Sequence, residues 1–283
     1  MSAKRLALAA VVLAGLAPPA LAREIVLSAS GSTRRIVVLD AEGHRSTLMT
    51  ERRAIDPSWS PDHERVAYQS AEGPGAYARV SIVSRAGGPV RRITGAGWVA
   101  PEWSPYGKWV AAACLAGAPC KRRPGLYLID PRNPRVKRRL GHTVGAEKAA
   151  WAPRGRRLVF TAYKRGAIDL YVKRLGRPRV RRLTSTEIYE LSPAWSPGGR
   201  WIAFTRPRSG DAGGGGELWI VRADGSKTRR LTRTRISEAW PSWSADGRRI
   251  LFNTLNGLFS IRPDGSGRRK IEGTRAGDCC ADW

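Results

Sequence analysis

The sequence has 283 residues, 42% of them hydrophobic and 31 of them glycine, enough for one large domain with a sizeable core and too apolar for a disordered chain. Fifty Lys and Arg against 23 Asp and Glu leave a formal net charge of +27, a balance that favours anionic partners or reflects an Arg-rich source. Metal chemistry has little to work with, because His44, His63 and His142 stand at no ligand spacing from a Cys; no metal and no cofactor is expected.

Residues 1–22 read as a secretory signal. Lys4 and Arg5 precede an apolar run over 6–16, and Ala20-Leu21-Ala22 is a small-x-small cleavage site. The run is short for a membrane-spanning anchor, the alternative reading, and Pro18-Pro19 disrupts its end. The folded domain is then 23–283, an exported monomer, periplasmic or secreted, for which nucleic acid falls away as a partner.

Three strands follow, near 24–27, 35–39 and 46–50. Five repeats come next. Each opens on a Trp-ending strand and a tight turn, clearest as Pro193-Ala194-Trp195-Ser196-Pro197-Gly198-Gly199. An apolar strand, an aromatic-aliphatic strand and a basic strand complete each repeat. Trp59, Trp103, Trp151, Trp195, Trp243 and a truncated copy at Trp283 recur every 40 to 48 residues. That period with strand-turn-strand grammar predicts one propeller blade per repeat. The last repeat stops where its second strand is due, and residues 24–27 supply it. The fold is therefore an all-β, six-bladed β-propeller with four strands per blade, its last blade closed by the C-terminal strand and the N-terminal strands. His63 fills the turn position that is Gly107, Gly155, Gly199 and Gly247 elsewhere, so it reads as a turn residue of positive φ, not a catalytic base.

Candidate site residues fall in the connections before the Trp strands. Asp56, Glu147, Glu190, Glu238 and Asp278 lie three to five residues ahead of their anchors. Gathered at one mouth of the central channel, they would form an acidic ring able to receive a cation or a basic segment of a partner; alternatively each pairs with a local Arg. Trp98 and Trp240 also precede anchors and are ligand candidates if exposed, whereas the anchors themselves read as core. The outer strands carry Arg91-Arg92, Lys137-Arg138-Arg139, Arg181-Arg182, Arg229-Arg230 and Arg268-Arg269-Lys270. Such charge guards edge strands against aggregation, or forms a basic rim that meets an anionic envelope surface. Cys114 and Cys120 flank a short loop and suit a local disulfide, while the adjacent Cys279 and Cys280 have no evident partner. No catalytic residue is assigned: there is no G-x-S-x-G elbow, no phosphate loop and no EF-hand, and the Gly213 to Gly216 run reads as a hairpin tip.

The phrase Trp-Ser-Pro-x-Gly-Arg, then Ile-Ala-Phe-Thr, Glu-Leu-Trp-Ile, Ala-Asp-Gly-Ser and Arg-Arg-Leu-Thr, read from Trp195 to Thr232, resembles the repeat of TolB-type propellers. The resemblance covers the chain after the signal. It implies a six-bladed propeller that binds a protein in the cell envelope. TolB adds an α/β domain before its propeller, for which this chain has no room. Similar propellers accompany serine peptidase domains and some polysaccharide lyases, whose catalytic domain and metal-binding His clusters this sequence lacks. The expected function is an exported non-catalytic scaffold for a protein partner; the alternative is an enzyme or carbohydrate-binding protein with its site at the channel mouth.

Overall fold

The computed structural model describes residues 24–30, 34–51, 53–72, 76–120, 123–164, 166–208 and 216–283; the expected signal at 1–22 and most of the glycine tip lie outside them. Regular structure among these residues is entirely β: six antiparallel sheets of four strands. Blade one comprises β4 (Ile55–Trp59), β5 (Arg65–Ser70), β6 (Arg79–Ser84) and β7 (Arg91–Arg92), from the channel outwards. Blade two comprises β8 (Trp98–Trp103), β9 (Val110–Cys114), β10 (Gly125–Ile129) and β11 (Lys137–Arg139). Blade three is β12 (Ala146–Trp151), β13 (Arg157–Lys164), β14 (Ala167–Arg174) and β15 (Val180–Arg182). Blade four is β16 (Leu191–Trp195), β17 (Trp201–Pro207), β18 (Gly216–Arg222) and β19 (Arg229–Arg230), and blade five β20 (Ala239–Trp243), β21 (Ile250–Thr254), β22 (Gly257–Ile261) and β23 (Arg269–Lys270). In blade six β24 (Cys279–Asp282) is innermost, followed by β1 (Ile25–Ala29), β2 (Arg34–Leu39) and β3 (Arg45–Glu51). The expected closure is present, with Val26 opposite Asp282 and Ser28 opposite Cys279.

The second strand of each blade is covered on both faces by neighbouring blades, so four or more consecutive residues of it are buried instead of alternate ones. In β9 all five residues, Val110–Cys114, are buried. The Trp anchors fill the wedges between blades: Trp59, Trp103, Trp151, Trp195 and Trp243 are 4–8% exposed. Trp151 and Trp243 also donate from Nε1 to the carbonyls of Glu102 (3.2 Å) and Ala194 (3.1 Å) in the preceding blade. His63 takes the expected left-handed conformation, φ 56°, and stacks on Trp59 at 5.0 Å. Cys114 and Cys120 are joined by a disulfide.

The outer strands of blades one to five are only two or three residues long and coincide closely with the basic runs that mark them; each has a single neighbour to pair with. Their arginines divide by strand alternation. Arg91, Arg181 and Arg229 donate to turn carbonyls of the next blade: Arg91 to Arg132 (2.9 Å), Arg181 to Ala223 and Asp224 (2.8 and 3.0 Å), Arg229 to Pro263. Arg92, Arg182 and Arg230 turn the other way and pair with Glu72, Asp169 and Glu217 of their own blades.

Candidate functional site

Blade topology sorts every loop onto one of two faces. Antiparallel order puts the turns after the first and third strands at one end of a blade, the turn face. The hairpins after the second strand and the connections to the next blade lie at the other end, the connection face. Between them runs the channel, lined by the six innermost strands.

Each innermost strand carries a register shift in its pairing, a bulge just ahead of its Trp. Asp56, Ala100, Ser192, Trp240 and Cys280, each three residues before its anchor, accordingly adopt φ of 50–55°. A bulge re-aims side chains. Here the residues three and one before the anchors face the channel, and a cavity of about 210 Å³ is lined by Lys148, Trp240 and Cys280 at the first level and by Glu102, Ser242 and Asp282 at the second. Glu102 and Asp282 also border a second cavity, against His63.

The charges in this channel interact across blades. Lys148 Nζ of blade three donates to Asp56 Oδ1 of blade one at 3.1 Å. Desolvation alone would lower the Lys148 pKa, but Asp56, Cys280 and Glu102 outweigh it and hold the ammonium above its ordinary value. Burial lifts the Glu102 carboxyl well above the usual range; the negative charges of Asp282 and Asp56 add to this, and Lys148 opposes it. Asp282 is raised by burial too, although Trp59 N (3.0 Å) and Ser242 Oγ (3.1 Å) donate to its two oxygens. Those bonds tie blade six to blades one and five.

The candidate residues from the sequence take several different places. Trp240 lines the channel cavity, and Asp56 reaches the channel through its pair with Lys148. Glu147 is exposed. Glu190 and Glu238 are fully buried at the base of their connections, where each accepts from two threonine hydroxyls, Thr184 and Thr186 or Thr232 and Thr234, and forms an ion pair with an arginine, Arg206 (2.6 Å) or Arg268 (3.3 Å). Burial raises the pKa of both, partly offset by these donors. Asp278 binds Arg45 at 2.7 Å and accepts from Arg275 N. Local pairing thus holds these three, as a carboxylate removed from water requires. Trp98 departs from expectation: it opens strand β8, is 2% exposed and packs edge-on against Tyr127 at 5.0 Å, so it is core and offers no ligand surface. Glu102, Lys148, Cys280 and Asp282 escaped sequence reasoning. Their signal was there, since two columns of the repeat vary freely (Ser58, Glu102, Ala150, Ala194, Ser242, Asp282 is one) while the anchor beside them does not.

The ring of six four-stranded blades around a polar channel defines a closed β-propeller. The family model described as TolB beta propeller domain matches residues 99–271, and the chain belongs to that family. Among solved structures, TolB from Acinetobacter baumannii matches at TM-score 0.77 and 24% identity over 94% of this chain and 68% of that one. A putative TolB from Agrobacterium tumefaciens matches at 0.70 and 18% identity over 90% and 91%. The tricorn protease matches at 0.66 and 18% identity over 89% of this chain and 26% of its own, so the same ring also occurs as part of an enzyme.

Proposed function

We propose that this chain is an exported, non-catalytic propeller that binds a protein partner in the cell envelope through its connection face. One observation carries the reading. Of the nine exposed large hydrophobic residues among those described, seven lie at the connection face: Tyr77, Val144, Tyr163, Ile188, Tyr189, Ile236 and Leu255. Only Tyr106 and Val136 lie at the turn face. Apolar side chains gathered on one side of a highly charged protein are the composition of an interface centre. TolB-like architecture is consistent with this use.

The test is capture from an envelope extract on the immobilised domain 23–283. A protein retained by wild type and by Tyr106→Asp, but lost by Ile188→Asp/Ile236→Asp, supports the reading. Retention by the connection-face variant with loss by Tyr106→Asp overturns it. Export is checked separately by the amino terminus of the protein recovered from cells, expected at Arg23.

A second reading, an enzyme or carbohydrate-binding protein, is favoured by the raised Glu102 and Asp282 carboxyls in the channel. The cavity weighs against it: about 210 Å³ is below the roughly 300–1,000 Å³ of ordinary small-molecule sites. Glu102→Gln leaves partner capture intact under the first reading and abolishes ligand binding or turnover under the second.

A further inference from the structure

Cys279 and Cys280 open the innermost strand of blade six, and neither belongs to the disulfide. Their sulfurs lie 2.9 Å apart, with the Cys280 thiol donating to Cys279 Sγ. On its other side Cys279 Sγ accepts from Arg34 Nη1 at 3.2 Å, a guanidinium reaching over from β2. Cys279 is half-buried; Cys280 is buried in the wall but faces the cavity. The charged groups around the pair are Arg34 from β2, Asp56 from β4 and Lys148 from β12. One sulfur is thus flanked by two donors that favour its anion, while the hydrogen bond, burial and Asp56 keep the proton on its neighbour against the pull of Lys148.

We propose that Cys279 and Cys280 form a reactive dithiol that takes small-molecule disulfides as substrate and closes to a vicinal disulfide, with Cys279 as attacking sulfur and Cys280 as resolving sulfur. In the first step the Cys279 thiolate attacks one sulfur of the substrate; a mixed disulfide forms, the substrate S–S bond breaks and one thiolate leaves. In the second, Cys280 loses its proton to that thiolate and attacks Cys279 Sγ. The second substrate thiolate departs and is protonated from solvent. In the net reaction the dithiol is oxidised by two electrons, and one substrate disulfide is reduced to two thiols.

The polarity of the pair fits these roles. The hydrogen bond from Cys280 lowers the Cys279 pKa to about 7 against the effect of burial, with Arg34 assisting. Attack is fastest for a thiol with a pKa near ambient pH. Cys280 is raised well above the ordinary thiol value by the same hydrogen bond, by burial and by Asp56, so it reacts second. Neighbouring Cα atoms across a trans peptide are about 3.8 Å apart, less than the usual ~4.4–6.8 Å of a disulfide, so the product is strained and readily reopened by thiols.

The experiment uses the reduced full domain with oxidised glutathione, read by mass spectrometry of peptides. Wild type is expected to lose two hydrogens within the Cys279-Cys280 peptide and to keep no glutathione. Cys280→Ser is expected to stop at a mixed disulfide on Cys279, and Cys279→Ser to react much more slowly, if at all. Arg34→Gln slows the first step without changing the product. A stable glutathione adduct on the wild-type pair, equal reactivity of the two single variants, or a native wild-type pair that stays reduced while the urea-unfolded chain oxidises would each overturn the proposal. The wild-type result stands even where a variant folds poorly, since it needs no substitution.

Discussion

The two faces of the disc are built by opposite rules. At the turn face the turn after each innermost strand of blades one to five has the same backbone. Ser60, Ser104, Ala152, Ser196 and Ser244 donate to the carbonyl five residues on at 2.8–3.0 Å. Their own carbonyls accept from His63, Gly107, Gly155, Gly199 and Gly247 at 2.8–2.9 Å. At the connection face only the root is uniform: Thr94, Thr143, Thr184, Thr232 and Thr274 each accept from a backbone N–H of the third strand at 2.8–3.2 Å. Beyond that root, length and composition change from blade to blade, and the exposed apolar residues sit there. One face is repeated because it holds the ring; the other is free to vary because its roots are already tied down.

Substitutions on either face test this division. The largest effect is expected from Trp195→Ala, which empties a wedge between two blades. It should cost about 3–5 kcal/mol in denaturant unfolding. A loss below roughly 1 kcal/mol would show that the anchors are not what holds the blades together. Ile188→Asp/Ile236→Asp should leave the melting transition within about 0.5 kcal/mol per site while weakening partner capture by about 2 kcal/mol or more. Gly199→Ala forces a side chain into φ 69° with Pro153 at 3.3 Å, and should destabilise by about 1 kcal/mol or more without touching capture.

The smallest effect, at Glu102, separates the channel from both faces. Its folded pKa is raised, so the folded state holds the proton more tightly than the unfolded state, and ionisation costs stability as pH rises. Glu102→Gln should therefore raise the melting temperature at neutral pH. The gain should vanish by about pH 3, below the ordinary glutamate pKa of about 4.3, where the carboxyl is protonated in both states. A gain that persists in acid would place the effect in packing instead of charge.

How much of this was legible follows the same line. Trp spacing carried the blade count and the closure at Trp283, because a wedge between blades accepts a large rigid side chain at one position per repeat. The left-handed turn was readable at His63 through its Gly equivalents. Glu190, Glu238 and Asp278 were found as recurring acids, but recurrence in a repeat marks what each blade needs, and each carboxylate serves its own connection. The channel residues were hidden for the converse reason: Glu102, Lys148 and Asp282 each occur once, and only a bulge ahead of the anchor points them inward. Trp98 read as a loop residue because β8 starts earlier relative to its anchor than β4 or β16 does.

The pairing of β1 with β24 has a consequence for how the ring is made. During synthesis β1 emerges early, but its partner, at Cys279–Asp282, comes more than two hundred residues later. Until then blade six has only three strands, and the apolar inner edge of β1 is open to any other strand it meets. Five blades can form from neighbouring segments as they appear, whereas the sixth must wait for the longest-range strand pairing among the described residues. Ring closure is thus the step at which an unfinished chain is most exposed to mispairing, and the four residues of β24 end that exposure at a single stroke.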